Sequence, residues 1–162
     1  MDPEELQTLI ADSPFFGGLD AEERLVFATA GRVETHAAGV PLFEPRTAPT
    51  TLWMVLEGLV EVCRQEDPSA PSEAVAYMGP GAVLGENKIV TGTVYQSVAR
   101  FPEGGRTAQW SRNMVLRRLG SSRHFSMHYL HHLARRCRPR LPRPAGTGSA
   151  WCPRTDSCST RR

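Results

Sequence analysis

GPGAVLGENKIVTGTVYQS, residues 79–97, decides the fold of this chain. Within it, Gly81 and Gly85 allow the backbone to approach another group closely, because glycine has no Cβ atom. Glu86 follows at once and adds a carboxylate that accepts hydrogen bonds. Taken alone, the Gly85-Glu86 pair favours an ordinary surface turn with a solvated carboxylate, so the surrounding elements must decide what the stretch does.

Composition predicts one domain followed by a tail. The chain has 162 residues, of which 40% are hydrophobic and 22% are charged. That is enough for one hydrophobic core and too little for two comfortable ones. No run of about 18 apolar residues is present, and the acidic segment 1–5 lacks the basic flank and apolar stretch of a signal peptide. We therefore expect a cytoplasmic protein without a membrane span.

Charge divides the sequence into an acidic body and a basic end. Residues 1–137 hold 13 Lys and Arg against 16 Asp and Glu, whereas residues 138–162 hold six Arg against one Asp. Residues 1–137 are the predicted domain. The Pro-rich segment 138–162 shows neither periodicity nor helix caps and is predicted to be disordered. The acidic body argues against a nucleic-acid-binding core, and the basic end is expected to be solvated.

Histidine and cysteine spacing does not predict a metal site. His124, His128 and His132 stand at i, i+4 and i+8 on a predicted helix, which would place three imidazoles on one face. Because no carboxylate or cysteine shares that face, we interpret them as an exposed polar stripe. The four cysteines do not have the usual zinc spacings. We expect no bound metal.

Two helices are predicted at the start of the chain. Asp2 and Glu5 form a capping box ahead of the first helix, which runs to about Asp12. Asp20 and Glu23 form a second capping box, and the helix that follows ends near residue 31.

From residue 32 the sequence pattern changes to that of strands. Short apolar or β-branched runs are separated by glycine and proline, as is typical of β-structure. These runs lie at 33–35, 40–43, 52–56, 60–62, 74–78, 98–101 and 107–110. Many short strands at close spacing indicate a sandwich or barrel.

Two more helices are predicted after the strands. Ser111 caps a helix that runs to about Leu119, and Ser122 caps a final helix that runs to about Arg136. We expect the final helix to carry one apolar face, formed by Leu130, Leu133, Ala134 and Cys137.

This order of elements resembles that of cyclic nucleotide-binding domains such as the ligand-binding domain of catabolite activator protein. Ser13-Pro14-Phe15-Phe16 is similar to the family's elbow before the second helix, and Leu52 to Gly58 is similar to its strand and hairpin glycine. The resemblance covers roughly residues 6–137. It implies a mainly β fold, a β-barrel of the double-stranded β-helix or jelly-roll type, with N-terminal and C-terminal helices.

The resemblance also implies a phosphate-binding cassette in residues 79–97 and cAMP or cGMP as the ligand. In the family, backbone N–H groups after the Gly-Glu pair face the cyclic phosphate, and the Glu side chain accepts a hydrogen bond from the ribose 2′-hydroxyl. Carried onto this sequence, the ligand-binding residues are Gly85, Glu86, Asn87, Lys88, Gln96 and Ser97.

Gln96 departs from the family pattern, which has an arginine that pairs with the phosphate. An amide in place of a guanidinium removes a bidentate, charge-assisted contact worth about 1.5–3 kcal/mol. That corresponds to roughly one to two decades of affinity. Lys88, the only lysine of the sequence, and Arg100 are the candidate replacements for the missing charge. We expect binding of a cyclic nucleotide to be weak or absent.

The predicted function is regulatory ligand sensing without catalysis. No nucleophile elbow, phosphate loop or zinc-protease motif appears in the sequence. In the family, the C-terminal helix moves over the barrel when ligand binds and passes that motion to an effector. The alternative is a ligand-free module that docks an effector protein, or a second copy, through its final helix. A small metal-dependent enzyme of the cupin type is a third alternative, although only His36 would lie on a strand.

Overall fold

The computed structural model of this chain describes residues 2–65 and 73–136. Met1, the loop 66–72, Cys137 and the predicted tail 138–162 lie outside the described residues. The described elements follow the predicted order of helices, strands and helices, with one short helix between strands. They are α1 (Pro3–Asp12), α2 (Ala21–Ala30), β1 (Arg32–His36), β2 (Pro41–Phe43), β3 (Thr51–Glu57), β4 (Val60–Arg64), β5 (Glu73–Met78), β6 (Val83–Leu84), α3 (Glu86–Thr91), β7 (Ser97–Arg100), β8 (Gly105–Ser111), α4 (Arg112–Ser121) and α5 (Arg123–Arg136).

The strands form two antiparallel sheets of four strands each. One sheet has the order β1-β8-β3-β6 and the other has the order β2-β7-β4-β5. Consecutive strands therefore alternate between sheets in several places, as they do in a jelly roll. The mainly β fold with flanking helices, which the resemblance implies, is confirmed.

Two apolar clusters hold these layers together. The larger one joins α1, α2, α4 and α5 to the sheet that contains β3 and β8, and Trp110 and Phe27 lie within it. The smaller one includes Trp53, Leu84 and Ala99, which come from both sheets. The sheets therefore pack face to face around the smaller cluster, while the helices cover one of them. Trp53 and Trp110 are core residues.

The helix starts follow the sequence with one correction. Asp2 and Glu5 form a complete capping box at α1. At α2, Asp20 accepts from the Glu23 backbone N–H, but the Glu23 carboxylate pairs with Arg118 of α4 at 2.6 Å instead of returning to the cap. The second capping box is therefore only half formed, because a tertiary ion pair to a buried carboxylate replaces the local contact.

The packed face of α5 differs from the predicted one. Phe125 and Tyr129 are buried and Leu133 is partly buried, whereas Leu130 is 56% exposed and Ala134 is also exposed. Two aromatic rings four residues apart, those of Phe125 and Tyr129, therefore face the core. The residues predicted to form the apolar face do not share one face, because Leu133 packs against the core while Leu130 and Ala134 face solvent. Among the described residues, no helix is both long and apolar enough to cross a membrane.

Candidate functional site

The Gly85-Glu86 pair lies at the point where β6 turns into the short helix α3. Gly85 precedes α3 with a φ of +86°, a conformation that side-chain-bearing residues rarely adopt. A Cβ atom on Gly85 would lie 3.0 Å from both the Thr51 carbonyl oxygen and the Tyr95 hydroxyl. Glycine is therefore required here by backbone geometry and by space.

The side chain of Glu86 is buried and paired. It is 9% exposed, and its carboxylate accepts from the Arg136 guanidinium at 2.5 Å. Burial raises the pKa of Glu86, and the charge of Arg136 works in the opposite direction. Glu86 is thus neither the solvated carboxylate of a simple turn nor an unoccupied acceptor, because α5 already supplies a donor to it.

Two further contacts tie α3 to the C-terminal helices. Tyr129 of α5 donates its hydroxyl to the Glu86 carbonyl oxygen at 2.7 Å. Arg112 of α4 donates to the Ile89 carbonyl oxygen at 3.0 Å. Arg136 also donates to the Val83 carbonyl oxygen on β6. Side chains of α4 and α5 therefore fix the positions of the cassette turn and of α3.

A cavity of about 150 Å³ opens beside the cassette. Its lining combines apolar residues of both sheets with polar residues of the cassette, namely Phe43, Val62, Met78, Val83, Leu84, Gly85, Glu86, Asn87, Lys88, Tyr95, Ser97 and Arg136. Drug-sized ligands usually occupy about 300–1,000 Å³. The cavity is therefore small for a nucleotide in the conformation described here.

Tyr95 contributes a buried hydroxyl to this cavity. The residue is 3% exposed, and its ring stacks on Phe43 with centroids 4.0 Å apart. Its hydroxyl has no hydrogen-bond partner among the described residues. Burial raises the pKa of Tyr95, and the charge of Glu86 adds to the effect. The hydroxyl is therefore a neutral donor at neutral pH.

Five of the six residues proposed for the ligand site line this cavity, and Gln96 does not. Gln96 is exposed and lines a neighbouring cavity together with Arg46 and Arg64. Ser97, the first residue of β7, lines the cassette cavity, whereas Gln96, just before the strand, does not.

Neither proposed substitute for the missing arginine is aimed at the cavity. Lys88 lines it, but its ammonium donates to the Thr93 hydroxyl at 3.2 Å. Arg100 pairs with Glu61 at 3.2 Å on the neighbouring strand β4. The guanidinium that does line the cavity belongs to Arg136, at the end of α5.

The histidines of α5 do not form the expected exposed stripe. His124 lies 3.4 Å from the Asp20 carboxylate, and His128 contacts the Phe15 carbonyl oxygen. His132 packs edge-on against the Phe15 ring, with centroids 4.7 Å apart. The stripe instead joins α5 to the N-terminal elbow. No group of three or more His, Cys, Asp or Glu side chains in the described part of the chain is arranged to hold a metal ion.

Comparison with solved structures finds several proteins with a similar fold. The chain matches catabolite activator protein from Thermus thermophilus at 23% identity with a TM-score of 0.67, covering 76% of this chain and 58% of that one. It matches the regulatory domain of Toxoplasma gondii PKA, solved with cAMP, at 19% identity with a TM-score of 0.72, covering 83% and 50%. The chain has the fold of a cyclic nucleotide-binding domain.

A third similar structure extends the range of ligands among these neighbours. It is the regulatory subunit of a cAMP-independent protein kinase A from Trypanosoma cruzi bound to guanosine. Identity is 23% and the TM-score is 0.63, with coverage of 84% of this chain and 52% of that one. This chain therefore spans between 50% and 58% of each of the three structures. No protein-family model and no curated protein matches the sequence.

Proposed function

We propose that this chain is a regulatory, ligand-sensing domain of the cytoplasm, without catalysis, whose cassette binds cAMP or cGMP weakly or not at all. The observation that carries the proposal is the buried Glu86 at a turn where Gly85 is required by geometry. A buried carboxylate at a ligand cavity is costly unless it has a partner or a role. The site residues are Gly85, Glu86, Asn87, Lys88 and Ser97, with Gln96 at its margin.

The weakness of cyclic nucleotide binding follows from charge and space. Gln96 is uncharged and exposed, and the Lys88 ammonium is engaged by Thr93. The Arg136 guanidinium, which also lines the cavity, is paired with Glu86. A cyclic phosphate would therefore leave water without the bidentate cation that normally offsets its desolvation, at a cost of about 1.5–3 kcal/mol. The cavity would also have to enlarge beyond its 150 Å³ to admit a nucleotide.

A nucleoside without a phosphate avoids the charge problem. The Trypanosoma cruzi neighbour is described with guanosine, which carries ribose hydroxyls and no phosphate. Arg136 donates to Oε1 of Glu86, which leaves Oε2 as an acceptor for a ribose hydroxyl, and the Tyr95 hydroxyl offers a donor. Nucleosides therefore belong among the ligands to be tested beside cAMP and cGMP.

Thermal-shift and calorimetric titration of the full chain with cAMP, cGMP and guanosine tests the proposal. Binding to the native state alone must raise the melting temperature as ligand is added. We expect small shifts with the cyclic nucleotides, larger shifts in Gln96→Arg, and loss of the shifts in Glu86→Gln. Gln109→Arg, which adds the same charge on the distant strand β8, is the matched control. Tight cyclic nucleotide binding by the natural sequence, weakened by Gln96→Arg, would contradict the proposal.

The alternative function is a ligand-free interaction module that uses α5. Met127 and Leu130, three residues apart on that helix, are 46% and 56% exposed. Apolar side chains at this spacing offer a docking stripe for a second copy or an effector protein. If no nucleotide or nucleoside shifts the melting temperature, and light scattering shows a dimer that Leu130→Glu dissociates, the alternative takes precedence.

A further inference from the structure

A second cavity, of about 440 Å³, borders the cassette cavity at Tyr95, which lines both. Its volume falls within the range of about 300–1,000 Å³ that small-molecule sites usually have. The lining includes Arg46, Arg64 and Gln96, and no carboxylate is among the described residues that line it. This set of donors suits an anionic ligand, because guanidinium and carboxamide N–H groups donate hydrogen bonds to oxyanions.

The backbone of Arg46 has an uncommon conformation that its contacts with Tyr95 maintain. Its φ is +66°, and it is the one non-glycine residue with a positive φ in the described part of the chain. The Arg46 N–H donates to the Tyr95 carbonyl oxygen at 2.9 Å, and the Tyr95 N–H donates to the Thr47 carbonyl oxygen at 3.1 Å. Glycine adopts this conformation at lower cost, and such outliers cluster at ligand sites. The arginine is therefore explained by the side chain that it adds to the cavity and not by the turn.

Sheet pairing brings Arg64 to the same cavity from another part of the sequence. Arg64 is the last residue of β4, and it pairs with Ser97 at the start of β7. Ser97 follows directly after Tyr95 and Gln96, so both arginines lie beside one segment of three residues. The convergence of the two guanidinium groups is therefore a property of the fold.

The two guanidinium groups are not used to hold the fold together. Both residues are exposed, and neither side chain forms a hydrogen bond or an ion pair with a described residue. Glu73 lies opposite Arg64 on β5, but no ion pair joins them. Four other arginines of the described ranges do pair with carboxylates, namely Arg100, Arg106, Arg118 and Arg136. Arg46 and Arg64 therefore keep their donors available for a ligand.

We propose that Arg46 and Arg64 bind a phosphate or diphosphate anion at this cavity, which is separate from the cassette and does not include Gly85 or Glu86. A guanidinium group binds two phosphate oxygens at once, and two such groups offset the charge of the anion. Residues 1–137 are acidic overall, so the attraction comes from these two groups and not from a general positive field. The anion is either free or the open-chain phosphate of a nucleotide whose ribose lies at Glu86.

Calorimetric titration of the full chain with inorganic diphosphate tests the anion site. Arg46→Gln and Arg64→Gln each remove one charge from an exposed side chain without a described partner, so both variants should fold. We expect each to weaken diphosphate binding about tenfold or more, as the loss of a charge-assisted contact implies. Arg46→Gly also removes the charge and suits the positive φ, so it should weaken binding equally without lowering the melting temperature.

Arg117→Gln is the matched control for the lost charge. Arg117 is exposed on α4, a helix that packs against the sheet containing β3 and β8, so its substitution should change the affinity by less than about twofold. The six arginines of residues 138–162 remain in every variant, so their contribution is the same throughout. Glu73→Gln, which removes the carboxylate opposite Arg64, should leave the affinity unchanged or raise it. Absence of binding to the natural sequence, or an affinity that Arg46→Gln and Arg64→Gln leave unchanged, would overturn the site.

Titrations with guanosine 5′-monophosphate and with guanosine distinguish the two sources of the anion. If the site receives the phosphate of a nucleotide, the monophosphate should bind more tightly than guanosine, and both Glu86→Gln and Arg64→Gln should weaken it. If the anion is free, Arg64→Gln should weaken binding of the monophosphate and Glu86→Gln should not. Binding of the monophosphate that Arg64→Gln leaves unchanged would contradict the site.

The diphosphate measurement also keeps this site apart from the proposed function, because diphosphate contains no nucleoside. Diphosphate binding without any response to guanosine, cAMP or cGMP would count against nucleotide sensing at the cassette and would leave the anion site in place. A response to those compounds without diphosphate binding would have the opposite meaning.

Discussion

At the scale of single residues, two tyrosines beside the cassette show how similar side chains differ in what they contribute. Tyr129 and Tyr95 are both buried, at 1% and 3% exposure. The Tyr129 hydroxyl donates to Glu86, whereas the Tyr95 hydroxyl has no partner among the described residues. A satisfied buried hydroxyl adds a modest net stabilisation, and an unsatisfied one costs free energy. Tyr95 is therefore better explained by a ligand that uses its hydroxyl than by stability.

Opposite effects on stability are expected from removing the two hydroxyls. Tyr129→Phe should lower the free energy of unfolding by about 1–2 kcal/mol, because it leaves the Glu86 carbonyl oxygen without its donor. Tyr95→Phe should leave that free energy unchanged or raise it by about 1 kcal/mol, because it removes an unpaired polar atom from the interior. Urea denaturation of both variants measures the difference. A loss in Tyr95→Phe as large as that in Tyr129→Phe would show that the Tyr95 hydroxyl has a partner.

At the scale of elements, local signals predicted the four flanking helices and seven of the eight described strands, and they missed the two-residue strand β6. The capping residues Asp2, Ser111 and Ser122 each accept a backbone hydrogen bond at the predicted helix start. Such contacts lie within a few residues, so sequence spacing contains them. The positions of glycine residues predicted the strand ends and the cassette turn for the same reason.

The spacing of residues along the sequence did not predict which side chains pair across the fold. The pairing of Glu86 with Arg136, and of Glu23 with Arg118, depends on how distant helices pack against the sheet. One signal was available, because Tyr129 and Arg136 stand seven residues apart and therefore share a helix face. That spacing puts them on one face without saying what the face contacts, so the role of Arg136 in the cassette was missed.

The element α5 also carries a group that responds to pH. His132 is packed against Phe15, and its pKa is lowered from 6.5 to about 4 by burial and then by the neighbouring charges of Arg136, His128 and Arg135. A lowered pKa means that the unfolded chain takes up the proton first. The stability that the folded chain gains by keeping His132 neutral is therefore fully present above pH 6.5. It is lost as the pH falls toward about 4.

Substitution of His132 should reduce this acid sensitivity. Between pH 6.5 and about 4 we expect the natural sequence to lose stability that His132→Gln does not lose. The difference should be about 1–2 kcal/mol once solvent screening of a half-buried ring is allowed for. Denaturation curves at pH 7 and pH 4.5 for both proteins measure it. His131→Gln, at an exposed neighbouring position, is the control, and equal acid sensitivity in His132→Gln would assign the loss to other groups.

At the scale of the whole molecule, the C-terminal helices contact the cassette, the N-terminal elbow and α2. Through Arg118, α4 reaches Glu23 of α2, and through His128, α5 reaches the carbonyl oxygen of Phe15 in the elbow. Gly18 leaves room for this ring, since a Cβ atom there would lie 2.5 Å from it. The cassette, the elbow and α2 therefore share one set of contacts on α4 and α5, and movement of α5 would change its contacts with the cassette and with the elbow.

The boundary of the domain is the prediction that belongs to this scale. We expect the chain truncated after Cys137 to fold like the full chain, because Arg136 makes the last tertiary contact of the described residues and the Pro-rich sequence beyond it lacks helical periodicity. The melting temperatures of the two proteins should agree within a few degrees. A larger difference would require the loss of contacts worth more than about 1 kcal/mol.

A second truncation gives that comparison its control. Removing Arg136 as well, by ending the chain after Arg135, should lower the melting temperature measurably, because it strands the buried Glu86 carboxylate that Arg136 pairs with. Equal stability of both truncated chains would show that the charge of Arg136 contributes nothing to the fold. A large drop already on ending the chain after Cys137 would show that residues 138–162 pack against the domain, and the boundary would then lie further along the chain.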